Sequence, residues 1–266
     1  MYLWNNHSLI QSPEQTFLSD IFQGKGIFET ILVTDKTCFF LWDEHIQRLN
    51  KGIQFLGKQT GIDFKALHHA LTELFHCENL KDFFRLNIVY LPEKDTVIVR
   101  VFPFLFPKKP ARLYLDTHYY RGNSPHYQYK TLSRMENLYF QQVAQTNHCD
   151  DFLMIDTHQQ VLETCLANIF FVREDGVFET PVAQNMPLLN GILRSFLINA
   201  QKDLDIQCLE KNISINHISK YSQAFITNGL RLVQPVSRIG EWFYAKDNIG
   251  WELLDRLLRP KTAYGQ

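Results

Sequence analysis

With 266 residues, 45% of them hydrophobic, and 27 Lys and Arg against 28 Asp and Glu, the chain has the composition of a globular protein with a sizeable core, not of a disordered, fibrous or membrane chain. A formal charge of -1 leaves no electrostatic footprint for a nucleic-acid backbone or an anionic membrane surface, which favours a small-molecule ligand. The 5 cysteines are scattered without paired spacing, so they encode neither a disulfide framework nor a zinc site, and a reducing cytoplasm is expected.

The first residues, Met1 to His7, lack the basic start and apolar stretch of a secretory signal. No run approaches the roughly 20 apolar residues of a membrane span. Ile27 to Val33 and Thr37 to Leu41 read as a hairpin turning at Asp35-Lys36. Ile46, Leu49, Ile53 and Leu56 recur at helical spacing, and Asp63 caps a second helix with Leu67, Ala70, Leu71, Leu74 and Phe75 as its buried stripe. Three strands follow at Phe83 to Leu91, Thr96 to Phe104 and Arg112 to His118, which makes residues 1–118 an α+β domain.

Residues 119–125 lose the periodicity and gather turn formers, as a linker does. Residues 126–266 then form a second, larger domain. It opens with a helix near Ser133 and continues with strands at Phe152 to Ile155, Ile169 to Val172 and Val177 to Thr180. Asn190-Gly191 introduces another helix, Ala224 to Thr227 is a strand, and Trp251, Leu254, Leu257 and Leu258 mark a closing helix. The expected class is α/β (α+β) with two domains.

Most lysines are solvated, but Lys130 stands where a polar linker turns into helix. A lysine projecting from there into an interdomain cleft is partly desolvated, which frees its amine as a nucleophile. Glu163 lies in a polar island between apolar strands; it reads either as a solvated turn residue or as a carboxylate facing a pyridine nitrogen. Leu188 to Arg194 reads either as an ordinary helix start or as a phosphate cradle built from the free N–H groups at Ile192 and Leu193. Thr227-Asn228-Gly229 is a polar turn able to present N–H groups to an anion. Arg48 is a helical surface arginine or a phosphate ligand.

Taken in order, these motifs resemble the signature set of the fold-type IV pyridoxal-phosphate family, which includes branched-chain aminotransferases, D-amino-acid aminotransferases and aminodeoxychorismate lyases. Gly24 to Thr30 resembles the family's first glycine-rich strand and His45 to Leu49 its phosphate-binding arginine motif. Lys130 falls at the Schiff-base position. Glu163 with Asn168-Ile169-Phe170 resembles the pyridine-nitrogen motif, Asn190 to Arg194 the phosphate-binding helix start, and Thr227-Asn228 the last phosphate turn. The resemblance implies pyridoxal 5'-phosphate as cofactor, held between the two domains, and a homodimer.

The Thr227-Asn228 turn running into Gln234-Pro235-Val236, and Asn190 before Gly191, are most similar to the lyases. That similarity implies 4-amino-4-deoxychorismate as substrate; a branched-chain or D-amino-acid aminotransferase is the alternative. D-amino-acid aminotransferases carry an Arg-x-His pair after the strand that begins here at Phe83, whereas this chain has Tyr90 to Lys94 there, and Lys25 replaces the usual aspartate between the first glycines. A dinucleotide-binding enzyme is disfavoured because Gly24-Lys25-Gly26 leads into a strand. A metal hydrolase lacks recognised ligand spacing around His68, His69, His76 and Cys77. A scaffold without cofactor on the same fold is the non-enzymatic alternative.

Overall fold

In the computed structural model of the chain, which describes residues 2–4, 8–11, 23–34, 38–77, 83–245 and 248–258, the first half is organised around β5 (Phe84–Leu91). Its Phe84, Leu86, Ile88 and Tyr90 face one way into the core, because successive side chains of a strand point to opposite faces. β5 lies in a six-stranded sheet of order β2-β1-β6-β5-β3-β4, with β1 (Tyr2–Trp4), β2 (Leu9–Gln11), β3 (Ile27–Thr34), β4 (Cys38–Phe39) and β6 (Thr96–Pro103). All its pairings are antiparallel.

Two helices cover that core face, α1 (Trp42–Phe55) through Leu49 and Ile53 and α2 (Phe64–Cys77) through Leu67, Leu71 and Phe75. The expected cap is present: Asp63 Oδ1 accepts from the backbone N–H of Ala66 at 3.0 Å, a bond of the kind that contributes about 1 kcal/mol. The Asp35-Lys36 turn lies outside the described residues.

The second sheet has nine strands in the order β12-β11-β10-β13-β14-β7-β8-β9, with β15 (Trp242–Phe243) also on β14. Its central strands are β10 (Asn168–Val172), apolar after its first residue and buried throughout, and β13 (Gln223–Asn228), apolar and buried from Ala224 to Ile226, as strands covered on both faces are. β11 (Phe178–Thr180) and β12 (Cys208–Glu210) extend one side; β14 (Leu232–Ile239), β7 (Ala111–Tyr114), β8 (Asp151–Ile155) and β9 (Val161–Thr164) extend the other. Three helices accompany it: α3 (Met135–Thr146), α4 (Ile192–Asn199) and α5 (Ile249–Leu258).

The chain divides into two units, Met1–Phe106 with His126–Met135, and Pro107–Pro125 with Glu136–Gln266. This division differs from a boundary at 119–125 in two ways, each with a hydrogen-bonding cause. The strand expected at Arg112 to His118 is β7, which pairs in parallel with β14 and β8 and therefore belongs to the second sheet. Residues 126–135 return to the first unit because Thr131 bridges Ile27 of β3.

Candidate active site

Lys130 follows a turn of 3-10 helix, Pro125–Gln128. Its carbonyl accepts from the N–H of Phe28 at 2.9 Å, and two residues on Leu132 N–H donates to Gly26 O at 2.9 Å, so the lysine segment lies as a short strand against the start of β3. The approach requires the glycine. A Cβ on Gly26 would stand 2.7 Å from Leu132 Cδ1 and 2.9 Å from Tyr90 O, closer than carbon atoms pack. Lys130 Nζ sits 4.6 Å from the centre of the Phe28 ring, and the Arg134 guanidinium carbon 5.4 Å from the same ring. The ring face attracts such cations.

The next residue of β3, Glu29, is fully buried and binds Arg48 bidentately, accepting from Nε at 2.8 Å and from Nη2 at 2.6 Å. His45 Nδ1 lies 2.7 Å from the same carboxylate. Burial pushes the Glu29 carboxyl up, but the Arg48 charge and the hydrogen bonds from Arg48 and His45 outweigh it and hold the group at about 2. His45 is pushed below its ordinary value by burial, against the opposing pull of Glu29. The neutral ring therefore donates from Nδ1 to Glu29, and its Nε2 is buried without a partner. Arg48 is thus one member of a buried Glu-His-Arg cluster, and Nη1 takes no part in its pairing with Glu29.

In the second unit Glu163 sits on β9, buried rather than solvated, in a bonded network. Its Oε1 accepts from Arg121 Nη1 at 2.7 Å, and its Oε2 from Leu189 N–H at 3.2 Å and Asn168 Nδ2 at 3.3 Å. Arg121 also donates to Pro187 O at 3.0 Å and, from Nε, to Glu136 at 3.0 Å. The sequence reading missed Arg121, which it took as part of the linker; an arginine among turn formers carries no local signal of burial.

Asn168 links the remaining expected elements. Opposite it across β10 and β13 is Thr227, whose Oγ1 is buried with no hydrogen-bond partner. Asn168 Nδ2 donates to Leu189 O at 2.8 Å, and its Oδ1 occupies the space a Cβ on Gly191 would need. Gly191 ends in extended backbone just before α4, and no side chain caps the helix. Ile192 and Leu193 are buried, so only their backbone N–H groups are available to a ligand. Asn228 differs: its side chain is engaged in its own turn, Oδ1 accepting from Leu230 N–H at 3.0 Å and Arg231 N–H at 2.7 Å while Nδ2 donates to Leu166 O at 3.1 Å. Arg194 likewise braces Asn190, Pro181 and Glu210.

Lys130 and Arg48 thus meet neighbouring residues of β3 in the first unit, while Glu163, the start of α4 and Thr227 converge around Asn168 in the second. A cavity of about 390 Å³ lined by Val177, Ile206, Leu253 and Arg256 contains none of these residues.

Residues 26–239 match the amino-transferase class IV family. The chain belongs to that family. Its enzymes depend on pyridoxal phosphate and have the two-domain fold of type IV. A Bacillus subtilis aminodeoxychorismate lyase is 23% identical over 85% of this chain and 81% of its own length. A Rickettsia bellii protein named "Probable branched-chain-amino-acid aminotransferase" is 24% identical over 90% and 87%. A hypothetical aminotransferase from Mycobacterium tuberculosis, solved in its PLP-bound form, shares the fold with a TM-score of 0.84 at 17% identity, covering 97% of this chain and 99% of that one.

The donors in the second unit suit such a cofactor. The orphaned Thr227 hydroxyl and the uncapped N–H groups of α4 are what a phosphate takes up, and an ion-paired carboxylate can accept from a protonated pyridine nitrogen.

Proposed function

We propose that this family member is a 4-amino-4-deoxychorismate lyase, which forms 4-aminobenzoate and pyruvate. The observation that carries the proton chemistry is Lys130, an amine held over the Phe28 ring by backbone bonds to β3. The choice of the lyase is supported by the Bacillus subtilis relative and by the Asn190-Gly191 and Thr227-Asn228 motifs.

Pyridoxal phosphate, when bound, supplies an electron sink for charge developing at the carbon that bears the substrate amine. Arg48, Lys130, Glu163, the Thr227 hydroxyl and the backbone N–H groups of Asn228, Ile192 and Leu193 would hold it. Lys130 Nζ takes the proton from the amine-bearing ring carbon. The bond from the neighbouring ring carbon to the enolpyruvyl oxygen then breaks, which leaves the ring aromatic. A proton returns to the departing enolpyruvate, and pyruvate is released. Glu163, kept in place by Arg121 and Asn168, would orient the cofactor's pyridine nitrogen and balance its charge.

The Rickettsia bellii relative favours a second reading, an amino-acid aminotransferase. One assay separates the two. With 4-amino-4-deoxychorismate and no added keto acid, the lyase yields 4-aminobenzoate and pyruvate in equal amounts; no product there, alongside rapid half-transamination of an amino acid, overturns the lyase. We further propose a homodimer working in the cytoplasm, for which sedimentation at micromolar concentration is the check.

A further inference from the structure

Arg121 stands between two carboxylates. Its Nη1 donates to Glu163 Oε1 at 2.7 Å and its Nε to Glu136 Oε2 at 3.0 Å, so one guanidinium serves two acids through different donors. Glu136 lies in the first turn of α3, where the positive end of the helix dipole and the Arg121 charge both favour its ionised form. The next residue, Asn137, ties that turn to the loop after β9. Its Nδ2 donates to Cys165 O at 2.8 Å, which fixes Glu136 relative to Glu163.

Arg121, the Leu189 N–H and Asn168 Nδ2 all donate to Glu163, and each steadies the ionised carboxylate. The Arg121 charge also cancels it. Arg121 and Glu163 alone carry no net charge, so together they give a ring nitrogen little help in keeping a proton. With Glu136 the three groups sum to one negative charge, which matches one protonated nitrogen. The Glu136 side chain is 28% exposed, so water screens its charge only in part. The other acids of this region are differently placed. Burial pushes the Asp151 carboxyl and the Cys165 thiol up, towards their neutral forms. Asp156, whose backbone bridges Arg121, holds its own turn, Oδ1 accepting from the N–H groups of His158 and Gln160 at 2.8 Å.

We propose that Glu136 is a positioning residue for the cofactor's proton: acting through Arg121, its charge leaves the Glu163 site negative, so that a bound pyridine nitrogen keeps its proton at neutral pH and above. The inference rests on Glu163 being the residue that faces the pyridine nitrogen, and it applies to lyase and aminotransferase alike. A glutamate that merely braced Arg121 would be replaceable by glutamine, which keeps an oxygen for the Nε–H and lacks the charge.

The test loads the enzyme and its variants with cofactor isotopically labelled at the ring nitrogen and follows the magnetic resonance shift of that nitrogen as pH is raised. The unsubstituted enzyme holds the ring proton to a pH about one unit above Glu136→Gln, a roughly tenfold tighter hold. Glu136→Ala, which removes charge and hydrogen bond together, moves the midpoint as Glu136→Gln does. A Glu136→Gln midpoint equal to that of the unsubstituted enzyme overturns the proposal whatever alanine does, and so does a ring nitrogen that carries no proton in the unsubstituted enzyme. If Glu136→Ala loses its folded circular dichroism, Glu136→Gln decides alone. Glu163→Gln is scored separately. A midpoint lowered there but unmoved in Glu136→Gln rejects only this inference; a midpoint indifferent to Glu163→Gln rejects the placing of Glu163 at the ring nitrogen, and this inference with it.

Discussion

Arg121 and Glu163 form an ion pair at 2.7 Å in which the arginine side chain is 1% exposed and the glutamate 10%. A pair so far from water is held by what surrounds it, and Pro187 O and Glu136 take up other Arg121 donors. Removing one partner leaves a buried charge uncompensated. Arg121→Ala is therefore expected to destabilise the second unit by about 3 to 5 kcal/mol in chemical denaturation. The double variant Arg121→Met with Glu163→Leu should recover much of that loss while staying inactive. A single variant within 1 kcal/mol of the parent would mean that the pair is not structural.

Loss of function is expected to separate by residue. Lys130→Ala should abolish 4-aminobenzoate formation and the covalent attachment of cofactor that borohydride fixes, read by mass. Glu163→Ala should keep the cofactor but lower turnover about a hundredfold or more, because an electrostatic partner aimed at developing charge is removed. Arg48→Ala should weaken cofactor binding, read by titration of the folded variant, and, because it leaves the buried Glu29 carboxylate without its cation, should also lower the stability of the first unit in chemical denaturation. Normal turnover and spectra in the lysine variant would refute the assignment.

The buried Glu29-His45-Arg48 cluster makes stability depend on pH. Glu29 has its carboxyl depressed from 4.5 to about 2, so it contributes stability that is complete above 4.5 and lost as pH falls towards 2, on the order of 3 kcal/mol. His45, depressed from 6.5, acts in the same direction: the unfolded chain binds its proton first, so stability declines as pH drops below 6.5. Urea midpoints measured from pH 8 to 3 should fall in two stages. The upper stage should vanish in His45→Gln. A midpoint that rises on acidification through either window would contradict this account.

The sequence marked Lys130, Glu163 and the two turns as candidates because each sits where a periodic segment stops, and such interruptions are local. What it hid depends on contacts far along the chain. Arg121 meets Glu163 across 42 residues, and nothing near Arg121 announces a buried partner. β14 was read only as a run after a turn; Pro235, which has no N–H to give to a ladder, lies inside the strand, and pairing with β7 begins at Val236, just past it. β7 itself was legible as a strand but not as a member of the second sheet, since periodicity reports a face and not a neighbour.

Gly191 tests whether the Asn168 network links the carboxylate to the helix start. Its backbone, φ -67° and ψ 145°, is open to any residue, so alanine there brings no backbone strain. The added Cβ would collide with Asn168 Oδ1. Asn168 cannot move away cheaply, because its Nδ2 is bonded to Leu189 O at 2.8 Å and to Glu163 at 3.3 Å, and a shift disturbs the carboxylate and the first turn of α4 together. Gly191→Ala should therefore weaken cofactor affinity about tenfold, roughly 1.4 kcal/mol, in a fluorescence titration, and lower turnover as well. Adding Asn168→Ser removes the colliding oxygen, so the double variant should bind cofactor more tightly than Gly191→Ala alone. If it binds no better, the loss comes from the helix start itself and the coupling through Asn168 is wrong.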